Sequence, residues 1–363
     1  PPMLLPQLTM LTNSAIQYIA KSVLPPLLPS STKGSSGHLL VIGGSPHYNG
    51  APVYSALSAL RIGVDLVSLI TLDDSTASVI KSKSNEIMCR SIESSLLPNT
   101  THPQLEAAIF AESSRPYDAV VIGPGLGRRD IVKNLVHTVV TYCEAHKITC
   151  VIDADGIWAL LSLSRNPSGS HTVLTPNIGE FCRIAQSVNV EVDYDFLSRG
   201  EEASGEEKRR VAVLAIDAVQ RKLNVGAIVL KGYADLVCVT PTDADAGENV
   251  LFECTPCPPI NLKRCGGIGD VLSGAIGAFL AFENCKCRRG GRRDESKGND
   301  DAAESEFGKL DKGGGFGFGC WAACHLVKRA SGEAFEERGR GMSADDVLSR
   351  ISGVVKSFDD SVL

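Results

Sequence analysis

From about residue 38 onward, short apolar runs rich in β-branched residues alternate with longer stretches of helical period. The runs His38–Ile42, Leu66–Thr71, Asp118–Ile122, Thr149–Ile152, Thr172–Leu174, Ala227–Leu230 and Leu236–Thr240 predict strands. Ala51–Ile62, Ile131–His146, Glu206–Leu223 and Gly267–Phe282 predict helices, and the helical pattern resumes at Phe316–Arg329 and Ala344–Phe358. Apolar strands separated by full helices are the pattern of an α/β fold with a parallel sheet covered on both faces. Such a sheet binds ligands at the carboxyl ends of its strands.

Three segments fall outside that rhythm. Residues 1–31 read as an N-terminal extension, proline-rich at both ends, with apolar positions at Ile16, Ile19 and Leu24. Ser198–Arg210 is a charge cluster expected to form a solvated loop leading into a helix. Glu283–Gly315 is dominated by charge and ends in three glycines, so it is expected to be a disordered insertion within a catalytic domain of residues 32–363.

Composition narrows the classes. The 363 residues carry 36 Lys+Arg against 42 Asp+Glu, a net charge of −6, so neither nucleic acid nor an anionic membrane is an expected partner. No apolar run was expected to reach the ~18 residues of a membrane span. Twelve cysteines occur, mostly singly in apolar runs, as reduced core cysteines do. Cys254-x-x-Cys257 and Cys285-x-Cys287 lack the four spaced ligands of a zinc site, so no protein metal ligand is assigned. A cytoplasmic location is expected, with a mitochondrial one and an oligomer left open.

Glycine is in excess, 35 residues, and much of it stands where predicted strands end. Gly43–Pro52 (G-G-S-P-H-Y-N-G-A-P) follows the first strand, and Asn49-Gly50 could cap the next helix. Gly123-Pro124-Gly125-Leu126-Gly127-Arg128 is one residue short of the dinucleotide fingerprint, which argues against a Rossmann site. Asp153-Ala154-Asp155 and Thr175-Pro176-Asn177-Ile178-Gly179-Glu180 bring carboxylates and an amide to two more strand ends. Asp155 and Asn177 are equally good helix N-caps. Lys231-Gly232 adds a cation and a flexible turn.

Cys265-Gly266-Gly267-Ile268-Gly269-Asp270 carries the strongest signal. A glycine run entering a long helix presents free N–H groups to an anion. An aspartate there repels phosphate unless it has work to do, and general-base catalysis of phosphoryl transfer is such work. The alternative is that Asp270 simply caps the helix.

In order, K-G-x-x-G (Lys33 to Gly37), G-G-S-x-x-Y-x-G-A-P, G-P-G-L-G, D-A-D, T-P-N-x-x-E-F, L-K-G and G-G-x-G-D-x-L-S-G resemble the ATP-dependent NAD(P)H-hydrate dehydratases of eukaryotic type. The resemblance spans about Lys33 to Phe282 and resumes at Trp321–Phe358. It implies a ribokinase-like single domain, three-layer α/β/α around a mainly parallel sheet. It implies ATP and hydrated NADH or NADPH as partners, Mg²⁺ with the ATP, and Asp270 as the catalytic base. The same resemblance implies that Tyr48, Asn49, Gly125, Asn177, Ile178, Gly179, Glu180, Phe181, Cys182, Arg183 and Asp270 contact the hydrated dinucleotide. It assigns ATP to Lys231, Gly232, Tyr233, Ala234, Asp235, Lys263, Arg264, Cys265, Gly266, Gly267, Ile268 and Gly269. Ile268 departs from the small or polar residue common at its position. A small-molecule kinase of the same superfamily is the alternative, and a non-catalytic nucleotide-binding protein a further one.

Overall fold

The computed structural model describes residues 8–10, 23–92, 101–111, 113, 115–163, 168–199, 205–240, 248–288 and 316–360. In chain order the strands are β1 (Leu8–Met10), β2 (His38–Ile42), β3 (Leu66–Thr71), β4 (Met88–Ser91), β5 (Ala119–Ile122), β6 (Thr149–Ile152), β7 (Thr172–Leu174), β8 (Ala227–Leu230), β9 (Asp235–Val239) and β10 (Val250–Cys254). The helices are α1 (Gly50–Ile62), α2 (Asp74–Lys83), α3 (His102–Glu106), α4 (Asp130–His146), α5 (Asp155–Leu161), α6 (Ile178–Ser187), α7 (Tyr194–Arg199), α8 (Gly205–Leu223), α9 (Ile268–Arg288), α10 (Phe316–Arg338) and α11 (Ala344–Asp360).

All ten strands form one sheet in the order β1-β10-β9-β8-β7-β6-β5-β2-β3-β4. Every neighbouring pair is parallel except β8–β9 and β9–β10. Alternation along the strands splits the core in two. Leu39, Val41, Val121, Val151 and Val229 pack under α1, α9, α10 and α11. Leu40, Ile42, Val120, Ile122 and Ile152 pack under α4, α5, α6 and α8. Both faces are covered, which is why these strands read as unbroken apolar runs.

The chain reverses direction across the sheet at β2. From β2 it steps to β3 and β4 on one side, then returns to β5 and continues through β6 and β7 on the other. The loops after β2 and β5 therefore diverge and leave a crevice between them.

Several expectations need correction. Helix α9 continues through Glu283–Arg288, six residues into the segment assigned to the insertion. Residues 289–315 lie outside the described residues. Ser198–Arg210 is not one loop, because α7 ends at Arg199 and α8 already begins at Gly205. The N-terminal extension is not wholly external. Leu8–Met10 pairs parallel with β10, and Val23 and Leu24 are buried in the core. Strands β1, β4 and β10 were not anticipated, being short or shadowed by polar neighbours. One stretch, Ile268–Lys286, does meet the length and hydropathy of a membrane span, but 72% of it is buried inside the protein. It is the central core helix, pressed against α1 and α10.

Candidate active site

The strand ladders do not stop at the last strand residues; they run on into the loops. Gly43 N–H donates to Ile70 O at 3.0 Å, Gly123 N–H to Ile42 O at 3.1 Å, Asp153 N–H to Ile122 O at 3.0 Å and Thr175 N–H to Ile152 O at 3.1 Å. Lys231 N–H donates to Pro176 O at 2.9 Å. These bonds hold the predicted loops side by side along one edge of the sheet.

At the reversal point the two glycine loops touch. Gly44 N–H donates to Pro124 O at 2.9 Å. A side chain at Gly125 (φ +64°) would sit 2.5 Å from Tyr48 O, and one at Gly123 would sit 1.8 Å from Asp153 O. Only glycine allows this approach. Between the loops lies a cleft of about 530 Å³ lined by Tyr48, Ala51, Gly125, Gly127, Arg128 and Asp155. Asp155 Oδ2 accepts the Gly127 N–H at 2.9 Å. Asp155 is the first residue of α5, so it does not cap that helix; Ala154 does, with a strained φ of 46°.

A second cleft of about 440 Å³ opens on the other side of Lys231. Asn177, Lys231, Tyr233, Arg264, Gly269 and Lys328 are among its walls. The floor is the 231–235 turn. Gly232 N–H donates to Asp235 Oδ1 at 2.8 Å. The Lys328 ammonium lies 2.9 Å from Asp235 Oδ2 and 2.9 Å from Tyr233 O.

Asp270 lies in the first turn of α9 rather than at its cap, near enough to Asp155 of the first cleft and Lys231 of the second to feel both charges. The first intrahelical bond there runs from Val271 N–H to Gly267 O at 3.0 Å, so the preceding amides have no acceptor within the helix. Burial first, and the nearby carboxylates Asp153 and Asp155, push the Asp270 carboxyl up to about 7, against the pull of Lys231. Lys231 Nζ lies 2.7 Å from Asp153 Oδ1, which also accepts the Ala154 N–H. Burial alone would lower the lysine's proton affinity. Asp153, Glu180 and Asp270 more than offset that, so the ammonium stays charged.

The other predicted residues divide. Tyr48 and Gly125 line the first cleft; Lys231, Gly232, Tyr233, Asp235, Lys263, Arg264, Ile268 and Gly269 line the second. Asn177 also borders the second cleft, and it is a true N-cap: its side chain and that of Glu180 each accept the other's backbone N–H at 2.9 Å. Asn49 caps α1 without a side-chain bond. Ile178 and Ala234 border a third cavity of about 500 Å³ shared with Lys208 and Arg209 of α8. Gly266 is exposed at the mouth of α9, and Gly267 (φ +92°) makes the turn into it. Gly179 and Arg183 sit on α6, and Arg183 is exposed.

Four of the predicted side chains are buried, engaged elsewhere or away from both clefts. Phe181 is 0% exposed in the core under α6, so its side chain packs instead of touching a ligand. Cys182 and Cys265 are half-buried and line neither of the two clefts; Cys265 packs against the core. The Lys263 ammonium donates to Met342 O at 2.7 Å and to Arg340 O, tying its loop to the start of α11 rather than reaching for an anion. Gly34 and Gly37 precede β2, at the sheet edge opposite the clefts. Sequence reasoning assigned no role to Asp153, Arg128 or Lys328. Asp153 was visible in its motif, while Lys328 reads as one more lysine on a helix.

A family model described as NAD(P)H-hydrate dehydratase matches residues 39–352. The ATP-dependent (S)-NAD(P)H-hydrate dehydratase of Emericella nidulans is 32% identical over 354 residues, covering 92% of this chain and 90% of the relative. A ribokinase-like superfamily protein from Enterococcus faecalis superposes with a TM-score of 0.63 at 19% identity, over 97% of this chain and 96% of that one. An ADP/ATP-dependent NAD(P)H-hydrate dehydratase from Bacillus subtilis, crystallised with ATP and Mg²⁺, gives 0.61 at 20% identity, over 98% and 99%. The fold is ribokinase-like.

Proposed function

The chain belongs to the NAD(P)H-hydrate dehydratase family, and from that premise we propose that Asp270 is the general base of its ATP-dependent reaction. The enzyme is a hydro-lyase that restores hydrated NADH or NADPH at the expense of ATP. The observation that carries the residue assignment is the half-buried Asp270 carboxyl, pushed up to about 7, at a glycine-rich helix start beside Lys231 and Asp155.

Asp270 takes the proton of the ring hydroxyl as that oxygen attacks the γ-phosphorus of ATP, and ADP leaves. Charge developing on the transferring group is met by the amides of Gly266–Gly269 and by the Lys231 ammonium. The hydroxyl is now a phosphate ester, a far better leaving group. The ring nitrogen donates its electron pair, the C–O bond breaks, inorganic phosphate departs and the dihydropyridine returns. The hydrated dinucleotide occupies the cleft at Tyr48 and Gly125, and ATP the cleft at Lys231–Asp235.

Among the described residues no group of three or more His, Cys, Asp or Glu could hold a metal. Asp153 Oδ1 is already engaged by Lys231. The described side chains therefore form no ready-made metal cage, and a magnesium ion would be held chiefly by the ATP phosphates that carry it in. Bound in that way, it would offset part of the phosphate charge while Lys231 and the Gly266–Gly269 amides meet the rest.

The test is to supply hydrated NADH, ATP and Mg²⁺ and follow the reduced-nicotinamide absorbance. It returns, with one ADP and one phosphate per ring restored. ATP consumption with a stable phosphate ester and no absorbance would instead make the protein a kinase.

A further inference from the structure

We infer that Arg128 is a substrate-binding residue that grips a phosphate of the hydrated dinucleotide at the mouth of the first cleft. The inference rests on the dehydratase reading for the identity of the ligand; the geometry itself does not.

Three cations crowd the start of α4, and two of them are committed. Arg129 holds Asp73 with both ends of its fork, at 3.1 and 2.9 Å. Lys133 is paired with Asp130 at 2.9 Å and lies 5.4 Å from the Trp158 ring centroid. Arg128 differs. Its protein contacts are one Nε–H to Asp155 Oδ1 at 3.4 Å and the Trp158 ring at 6.0 Å. Among the described residues, both of its Nη groups lack a protein acceptor, and the side chain is 61% exposed.

Among the described residues that line this cleft, Arg128 is the one cation. A planar guanidinium with two unengaged N–H groups matches two oxygens of a phosphate. It is also pre-set. The indole beneath it and the single bond to Asp155 restrict its rotamers, so less freedom is lost when an anion arrives. Asp155 is itself fixed by the Gly127 N–H at 2.9 Å, so the tether is anchored in the glycine loop.

The dinucleotide offers two such groups: the pyrophosphate, present in both hydrates, and the adenosine 2′-phosphate, present only in hydrated NADPH. The experiment separates them. Steady-state kinetics of wild type, Arg128→Gln and Arg128→Lys are measured on each hydrate at saturating ATP. The expected result is a KM about 10-fold or more higher in Arg128→Gln, with kcat within about twofold and partial recovery in Arg128→Lys. A rise for hydrated NADPH alone assigns the 2′-phosphate, and an equal rise for both assigns the pyrophosphate. Unchanged KM for both hydrates, or a change confined to the KM of ATP, overturns the inference. Wild-type protein that restores neither hydrate would instead sink the dehydratase reading, so the two failures are distinct.

Discussion

The Lys231 ammonium, in the wall of the second cleft, lies 2.7 Å from the carboxylate of Asp153. Asp153 is 1% exposed. A methionine at 231 would leave that carboxylate buried without its cation, at a cost of about 3–5 kcal/mol. Denaturant unfolding of Lys231→Met should show this loss. Its KM for ATP should also rise by about tenfold or more, because the phosphate contact goes with the charge. Wild-type stability in this variant would mean the pair contributes nothing to the fold.

Asp270 acts as a base only when ionised. With its carboxyl pushed up to about 7, kcat/KM for hydrated NADH should fall as the pH drops through about 7 and level off above it. The sign for stability is opposite. The folded protein holds this proton more tightly than the unfolded chain, whose aspartate titrates near about 4, so stability declines as pH rises across that interval. Asp270→Asn removes the penalty and should raise unfolding free energy by about 2 kcal/mol at alkaline pH while abolishing turnover. A thermal melt of the two proteins at pH above and below that window checks it, and equal gains at both would contradict the shift.

Lys328 reaches from α10 to lock the 231–235 turn, bonding Asp235 and the Tyr233 carbonyl. Both side chains are largely buried, 14% and 6% exposed. Lys328→Met should destabilise by about 3–5 kcal/mol and loosen the turn, weakening ATP binding in a calorimetric titration. The double variant Lys328→Met with Asp235→Asn should recover part of the stability, since no unpaired charge is then buried. Failure of the second change to recover anything would show that the pair is not coupled.

Gly274 belongs to the G-G-x-G-D-x-L-S-G stretch yet serves packing. A side chain there would come within 2.0 Å of Ser55 O, where α9 crosses α1. Gly274→Ala should cost about 1–3 kcal/mol by overpacking. Activity per folded molecule should stay within about twofold, measured after correcting for the folded fraction by circular dichroism. A selective loss of ATP affinity would contradict the packing role.

The loops that make the site were legible because glycine, aspartate and asparagine at strand ends interrupt an otherwise apolar rhythm. Gly125 lines the first cleft and Asn177 the second, and Asp270 begins the helix that its glycine run announces. Phe181 sits inside a polar motif, yet the helical period of α6 turns its side chain to the core. Lys328 could not be read, since its partner Asp235 lies far away in sequence and only tertiary packing joins them. Strand β10 escaped for a similar reason: Glu253 within it is charged, and its burial depends on pairing with Arg209. The limit of the insertion was misplaced because charge alone does not end a helix whose buried face continues to Cys285.

Chemistry at Asp270 is best isolated by single-turnover rapid quench of Asp270→Asn with ATP, Mg²⁺ and hydrated NADH, beside calorimetric binding of ATP. Binding should match wild type within about threefold, while dinucleotide-dependent ADP formation falls by about three orders of magnitude or more. ADP formation within about tenfold of wild type would remove Asp270 from the reaction and leave its raised proton affinity without a catalytic purpose.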